Sequence, residues 1–174
     1  MSASSKAQCS RPGGLSNTHL VAIALGSNLG DRDAHLAFAV SRLSELLTDL
    51  RASTRHDTAP VDVDDDQPRY LNAAITGRTA LSPRELLRAM QGIEAQQGRL
   101  RPYTNAPRTL DLDLILYGDQ IIDDGHLTVP HPRFRQRAFV LAPLAEIGPS
   151  LVDPVTGLTV HALLERLPHL DPHQ

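Results

Sequence analysis

The segment Asn105 to Tyr117 reads Asn-Ala-Pro-Arg-Thr-Leu-Asp-Leu-Asp-Leu-Ile-Leu-Tyr and sets Asp111 and Asp113 two residues apart. On an extended strand side chains alternate between faces, so both carboxylates point the same way as Ile115, while Leu110, Leu112, Leu114 and Leu116 take the other side. Like charges about 7 Å apart on one pleated face gain nothing from each other, and Asp is a poor strand former. A cation between them resolves the conflict, and a pair of magnesium ions is the obvious candidate. A half-buried strand with a wet outer face would use the same residues. The surroundings weigh against that plainer reading. Arg99, Arg101 and Arg108 precede the strand, and Arg133, Arg135 and Arg137 follow His131. Carboxylates for metal together with arginines for phosphate are the equipment of nucleotide chemistry.

These residues need elements to position them. Leu20 to Leu25 is a short apolar run closed by Gly26, and Ser27, Asn28 and Gly30 turn the chain into a helix from Asp31 to Leu47, with Leu36, Val40, Leu43 and Leu47 at helical intervals. Arg51 to Thr58 is extended, Asp62 to Pro68 is an acidic loop, and Tyr70 to Thr76 is a further strand. Ser82-Pro83-Arg84-Glu85 is a capping box with proline at the first helical position, and the helix it opens runs to about Gln97 before Gly98. Its apolar stripe is Leu86 or Leu87, Met90 and Ile93; Gln91 and Glu94 share another face, where solvation alone accounts for them. Arg99 to Pro107 is a polar, proline-broken loop. After the strand to Tyr117, Gly118 and Asp119 turn the chain, and Ile121 and Ile122 return as a hairpin. Arg137 to Leu144 is a last buried segment, and Val160 to Leu167 a short terminal helix. The order strand, helix, strand, strand, helix, strand predicts an α+β, ferredoxin-like βαββαβ core: an antiparallel sheet with helices on one face, plus a C-terminal hairpin and short helix.

Of the 174 residues 41% are apolar and 21% charged, which suits one globular domain over 19–174 behind a disordered, Ser-, Gly- and Pro-rich tail at 1–18. A net charge of −3 argues against nucleic acid as a partner, so the arginines act locally. Cys9 is the only cysteine, which excludes an internal disulfide and a thiolate zinc site. No run approaches the ~18 apolar residues of a membrane span, and the opening lacks the centre of a signal peptide. The expectation is a cytoplasmic monomer without membrane or nucleic-acid partners.

Neither Gly-x-x-x-x-Gly-Lys-Ser/Thr nor Gly-x-Gly-x-x-Gly occurs, so any ATP must be held by metal and arginine. Several blocks together, Ala22 to Gly30, Tyr70-Leu71-Asn72-Ala73, Gln91 with Ile93-Glu94, Gln96-Gln97-Gly98-Arg99, Pro107-Arg108-Thr109-Leu110-Asp111-Leu112-Asp113 and Val129-Pro130-His131, resemble the 6-hydroxymethyl-7,8-dihydropterin pyrophosphokinases of folate biosynthesis. The resemblance runs from about Leu20 to Leu151.

The resemblance implies an ATP-dependent diphosphotransferase in which the pterin hydroxymethyl oxygen attacks the β-phosphorus and AMP leaves. It places two Mg2+ ions on Asp111 and Asp113, and makes Arg99 and Arg108 the arginines that close onto the phosphates and act in catalysis. Gln91, Glu94, His131 and Arg137 match further ATP-binding positions. Tyr70 and Phe139 match the pair that stacks on the pterin, Asn72 the amide at its rim, and Thr58 and Val61 positions that complete its pocket. Pro132 stands where many relatives have tyrosine. Asn105 stands near where many have tryptophan, in a loop one residue shorter. Two other readings stay open on the residues themselves. One is a metal-dependent phosphohydrolase, which needs no aromatic pair with Asn72; the other is a binding module without chemistry, in which the aspartates are surface residues.

Overall fold

The computed structural model describes residues 17–60, 67–98 and 108–168. The predicted Val61 and Arg99 positions, and the loop with Asn105, lie outside these residues. β1 (His19–Ser27) leads to α1 (Arg32–Ser44), β2 (Thr48–Ala52), β3 (His56–Thr58) and β4 (Tyr70–Thr79). Then come α2 (Pro83–Gln96), β5 (Asp111–Tyr117), the short β6 (Ile122–Asp123) and β7 (Thr128–Val129), α3 (Ala138–Ile147) and α4 (Val160–Glu165).

The main sheet is antiparallel in the order β2-β4-β1-β5, with β3 also paired to β4. This is the ferredoxin-like arrangement, with its second strand split in two where the sequence pattern shows one extended stretch. β1 lies centrally because its residues alternate large and small. Val21, Ile23 and Leu25 fill a core with Leu36, Ala39 and Leu43 of α1 and Leu86, Met90 and Ile93 of α2, while Ala22, Ala24 and Gly26 face the other way. Each large side chain so buried contributes about 1.5–3 kcal/mol. Local signals agree with the packing: Asp31 caps α1 through Ala34 N, and Ser82 with Glu85 forms the expected capping box on α2.

Three expectations need correction. Helices cover both faces of the sheet: α3 and α4 bring Val140, Leu141, Leu144, Val160 and Leu163 against Ala22, Ala24, Ala74, Ile115 and Leu116 on the face opposite α1 and α2. Strict alternation also fails in β5. Ala22 pairs with Leu116 but Ile23 with Leu114, so Ile115 is an extra residue in a bulge; Leu116 joins Ile115 in the second core and parts from Leu112 and Leu114. Lastly, Ile122 pairs with Val129 in a separate two-stranded sheet and makes no hairpin with β5. Among the described residues no helix is long and apolar enough to cross a membrane.

Candidate active site

The face of the sheet away from α1 and α2 is only partly covered by α3, and the uncovered part is a cleft of about 270 Å³. Its floor follows from strand register. Asn72 of β4, Gly26 of β1 and Asp111 of β5 form one cross-strand row, and Ala74, Ala24 and Asp113 form the next. Small residues in the central strand leave the outer two free to project inward. A Cβ at Gly26 would sit 3.2 Å from Asn72 Oδ1 and 3.9 Å from Tyr70 Cδ1.

Thr58, Tyr70, Asn72, Arg108, Asp111, Asp113, His131, Arg137 and Phe139 all line this cleft. Nine positions drawn from five separate stretches of sequence thus converge. The Asn72 amide is fixed by donating to Thr58 Oγ1 at 2.7 Å, which leaves its carbonyl toward Gly26. The Tyr70 hydroxyl is held neutral, its pKa raised first by burial; Arg108 opposes this and Asp111 adds to it. Across the cleft the Arg137 guanidinium lies 5.5 Å from the centre of the Phe139 ring.

His131 enters on a cis Val129–Pro130 bond and is anchored to the bulge, its N–H donating to Ile115 O at 3.0 Å. Burial, then Arg137 and Arg133, push its imidazole down to about 4, against an upward pull from Asp111. The ring is therefore neutral at pH 7. Because Arg133 N donates to its Nδ1 at 3.2 Å, the proton belongs on Nε2, which is left as a donor. With histidine neutral, three arginines (Arg108, Arg133, Arg137) face two aspartates among the described residues of the cleft, an excess of positive charge that suits an anion.

Gln91 and Glu94 do not line the cleft. Gln91 is exposed, and Glu94, contrary to the solvated face the spacing allowed, is 2% exposed and accepts Leu112 N at 2.8 Å between the two aspartates. Its carboxylate braces the strand that carries them. Arg135 likewise stands apart: it pairs through Nε and Nη2 with Asp153, at 2.6 and 2.8 Å, and ties the C-terminal segment to the turn before α3.

Arg133, noted in the sequence among the arginines after His131 but given no position of its own, lines the cleft, and sequence reasoning missed Asn28. Asn28 is 1% exposed. It donates its N–H to Arg108 O at 3.0 Å and accepts Arg108 N on Oδ1 at 2.8 Å, while its amide nitrogen lies 3.4 Å from both Gln67 Oε1 and Pro68 O. One side chain thus joins the entry to β5 with the approach to Tyr70. Thr109 Oγ1 donates to Gln97 O at 2.8 Å beside it, closing the end of α2 onto the start of β5.

The arrangement suits transfer of a phosphoryl-type group between a nucleotide and a flat ring. Residues 22–149 match the family described as 7,8-dihydro-6-hydroxymethylpterin-pyrophosphokinase (HPPK), and the chain belongs to it. It is 46% identical over 127 residues to the 2-amino-4-hydroxy-6-hydroxymethyldihydropteridine pyrophosphokinase of Bacillus subtilis, covering 72% of this chain and 75% of that protein. It is 39% identical over 148 residues, 84% of its length, to the folic acid synthesis protein fol1 of Pneumocystis carinii, but spans only 20% of that longer protein. Among solved structures, wild-type HPPK-DHPS of Plasmodium falciparum with pteroate superposes with a TM-score of 0.66 at 14% identity, covering 86% of this chain and 42% of that one. At that identity the likeness speaks for the fold alone.

Proposed function

We propose that this chain transfers pyrophosphate from ATP to the hydroxymethyl group of 6-hydroxymethyl-7,8-dihydropterin, in folate biosynthesis, giving the pterin diphosphate and AMP. The observation that carries the reading is that the two aspartates share one sheet face and one cleft with Tyr70, Asn72 and Phe139. A phosphohydrolase has no use for a fixed amide in one cleft with two aromatic rings, and a module without chemistry has no use for paired carboxylates beside arginines.

The donor set fits magnesium. Two carboxylates on one sheet face, both lining the cleft, suit a hard cation that completes its shell with phosphate oxygens and water. Asp111 and Asp113 would hold two Mg2+ ions, which when bound supply charge neutralisation at the phosphates and the entering oxygen. Everything else falls to the chain. Tyr70 and Phe139 sandwich the ring and Asn72, oriented by Thr58, reads its edge; Val61 is given to the same substrate by the family resemblance alone. His131 donates Nε2–H to a phosphate oxygen, and Arg137 and Arg108 meet the triphosphate as cations. Arg99 acts with Arg108 on the reacting phosphates. Gln91, which stands outside the cleft, is given to the nucleotide by the family resemblance alone, and Glu94 serves the site through the strand it braces. The bond from the hydroxymethyl oxygen to the β-phosphorus forms as the bond from that phosphorus to the α-bridging oxygen breaks; AMP takes the electron pair and the hydroxyl proton is released. We read 19–174 as one catalytic unit, cytoplasmic and monomeric.

Phosphorus NMR of the full chain with Mg2+, ATP and the reduced pterin tests this. AMP and pterin diphosphate in equal amounts are expected, with turnover lost on Asp111→Asn or Asp113→Asn. ADP as the stoichiometric product, or phosphate release without pterin, rejects the reading.

A further inference from the structure

The Arg108 guanidinium donates through Nη1 to Asp111 Oδ2 at 2.5 Å, three residues away along the chain. Both side chains are sheltered, 22% and 18% exposed, and both line the cleft. Screening by water is therefore weaker than for a surface pair. The backbone of Arg108 is held on both its N–H and its carbonyl by Asn28, so moving the guanidinium off Asp111 is a matter of side-chain torsions with the strand entry fixed.

We propose that Arg108 is a resident counter-ion of Asp111, and that a divalent cation takes this carboxylate fully only when nucleotide phosphate draws the guanidinium away. The inference rests on the reading of Asp111 as a metal ligand and adds a second role for Arg108. A guanidinium bonded to Oδ2 covers a lone pair that a cation would use and cancels much of the charge that would attract it. Phosphate offers the same planar fork a more highly charged partner. Nucleotide arrival therefore does two things at once: it takes the arginine and hands the carboxylate to the metal. The empty protein is poised to discriminate against free divalent cations, and metal and nucleotide enter as one unit. Asp111 engages other groups as well.

The test is Mn2+ binding to the full chain, followed without ATP by the EPR signal of free Mn2+ and with ATP by the Mn2+ retained with the protein over a protein-free Mn2+–ATP solution in equilibrium dialysis. Without nucleotide, Arg108→Met and Arg108→Gln are expected to bind Mn2+ about five- to tenfold more tightly than the unaltered chain, and Arg108→Lys to fall between. Adding Asp111→Asn to Arg108→Met should erase the gain. Equal affinities for the unaltered chain and both neutral variants, with Mn2+ still taken up alongside ATP, would overturn the counter-ion role while leaving the site's reading intact. Uptake of Mn2+ with ATP that is indifferent to Asp111→Asn and Asp113→Asn would overturn the site's reading, and the exchange with it.

Discussion

Asn28 and Arg108, 80 residues apart, exchange two hydrogen bonds at the base of the cleft, one through each end of the Arg108 peptide frame. Asn28→Ala leaves a sheltered backbone N–H without its acceptor and loosens the segment before Tyr70. Loss of about 2–3 kcal/mol of stability is expected in urea unfolding. Turnover should fall about tenfold to a hundredfold, since small misplacements of reacting groups are costly. Unchanged turnover in a folded Asn28→Ala protein would remove Asn28 from the positioning machinery.

Gly26→Ala aims a methyl group at Asn72 Oδ1, 3.2 Å from where its carbon would sit. Gly26 is not among the positive-φ glycines, so the cost falls on the pocket and not on the backbone. The expected outcome is an approximately tenfold rise in KM for the pterin, with KM for ATP and the melting temperature nearly unchanged. Steady-state kinetics with each substrate varied in turn separates the two.

His131 gives a pH signature. Its folded-state pKa of about 4 lies below the ordinary 6.5, so between those values the unfolded chain binds a proton that the folded chain refuses. This contribution costs nothing above pH 6.5, and stability drains away as pH falls from 6.5 toward 4. Urea unfolding of the unaltered chain and of His131→Gln across pH 4.5–7.5 should show a steeper acid slope in the former. Parallel curves would mean that His131 is protonated as readily in the fold as outside it.

The Arg135–Asp153 pair predicts damage without loss of chemistry. Asp153 is 0% exposed and also accepts from Val155 N and Thr156 Oγ1, so Arg135→Ala strands a buried carboxylate at a cost of about 3–5 kcal/mol. Arg135 does not line the cleft, and kcat of the fraction that remains folded is expected to stay within about twofold. Thermal unfolding alongside kinetics at low temperature checks both halves.

Why the site was legible and parts of the fold were not comes down to the range over which each signal acts. Strand alternation is local, and it placed Asp111 and Asp113 on one face correctly because no bulge intervenes between them. The same rule failed at Leu116, where one extra residue inverts the parity, and nothing in Leu-Ile-Leu marks it. The capping box at Ser82 is a four-residue signal and held. Of the second helical layer only α4 was read as a helix; α3 was not, because Ala138 to Ala145 has no polar residue to mark a face and carries an internal Pro143, which hides its period. Tyr70, Asn72, Phe139 and His131 were found through family resemblance, since aromatic and amide residues at those separations have no periodic signature. The small face of β1, Ala22, Ala24 and Gly26, was plain in the letters, but what it floors depends on neighbours two strands away. Asn28 escaped for the same reason: its partners at Arg108 and Gln67 are far along the chain, and a turn residue accounted for it locally.

The extra residue in β5 also works as a spacer. Ile115 O is where His131 is tethered, two residues beyond Asp113. Shortening the strand there would drag the histidine about one residue's rise, some 3.3 Å, relative to the acids, farther than a side-chain rotation could make good. The tolerance of this protein to length change between Asp111 and Tyr117 should therefore be nil, even where the hydrocarbon on either side could repack.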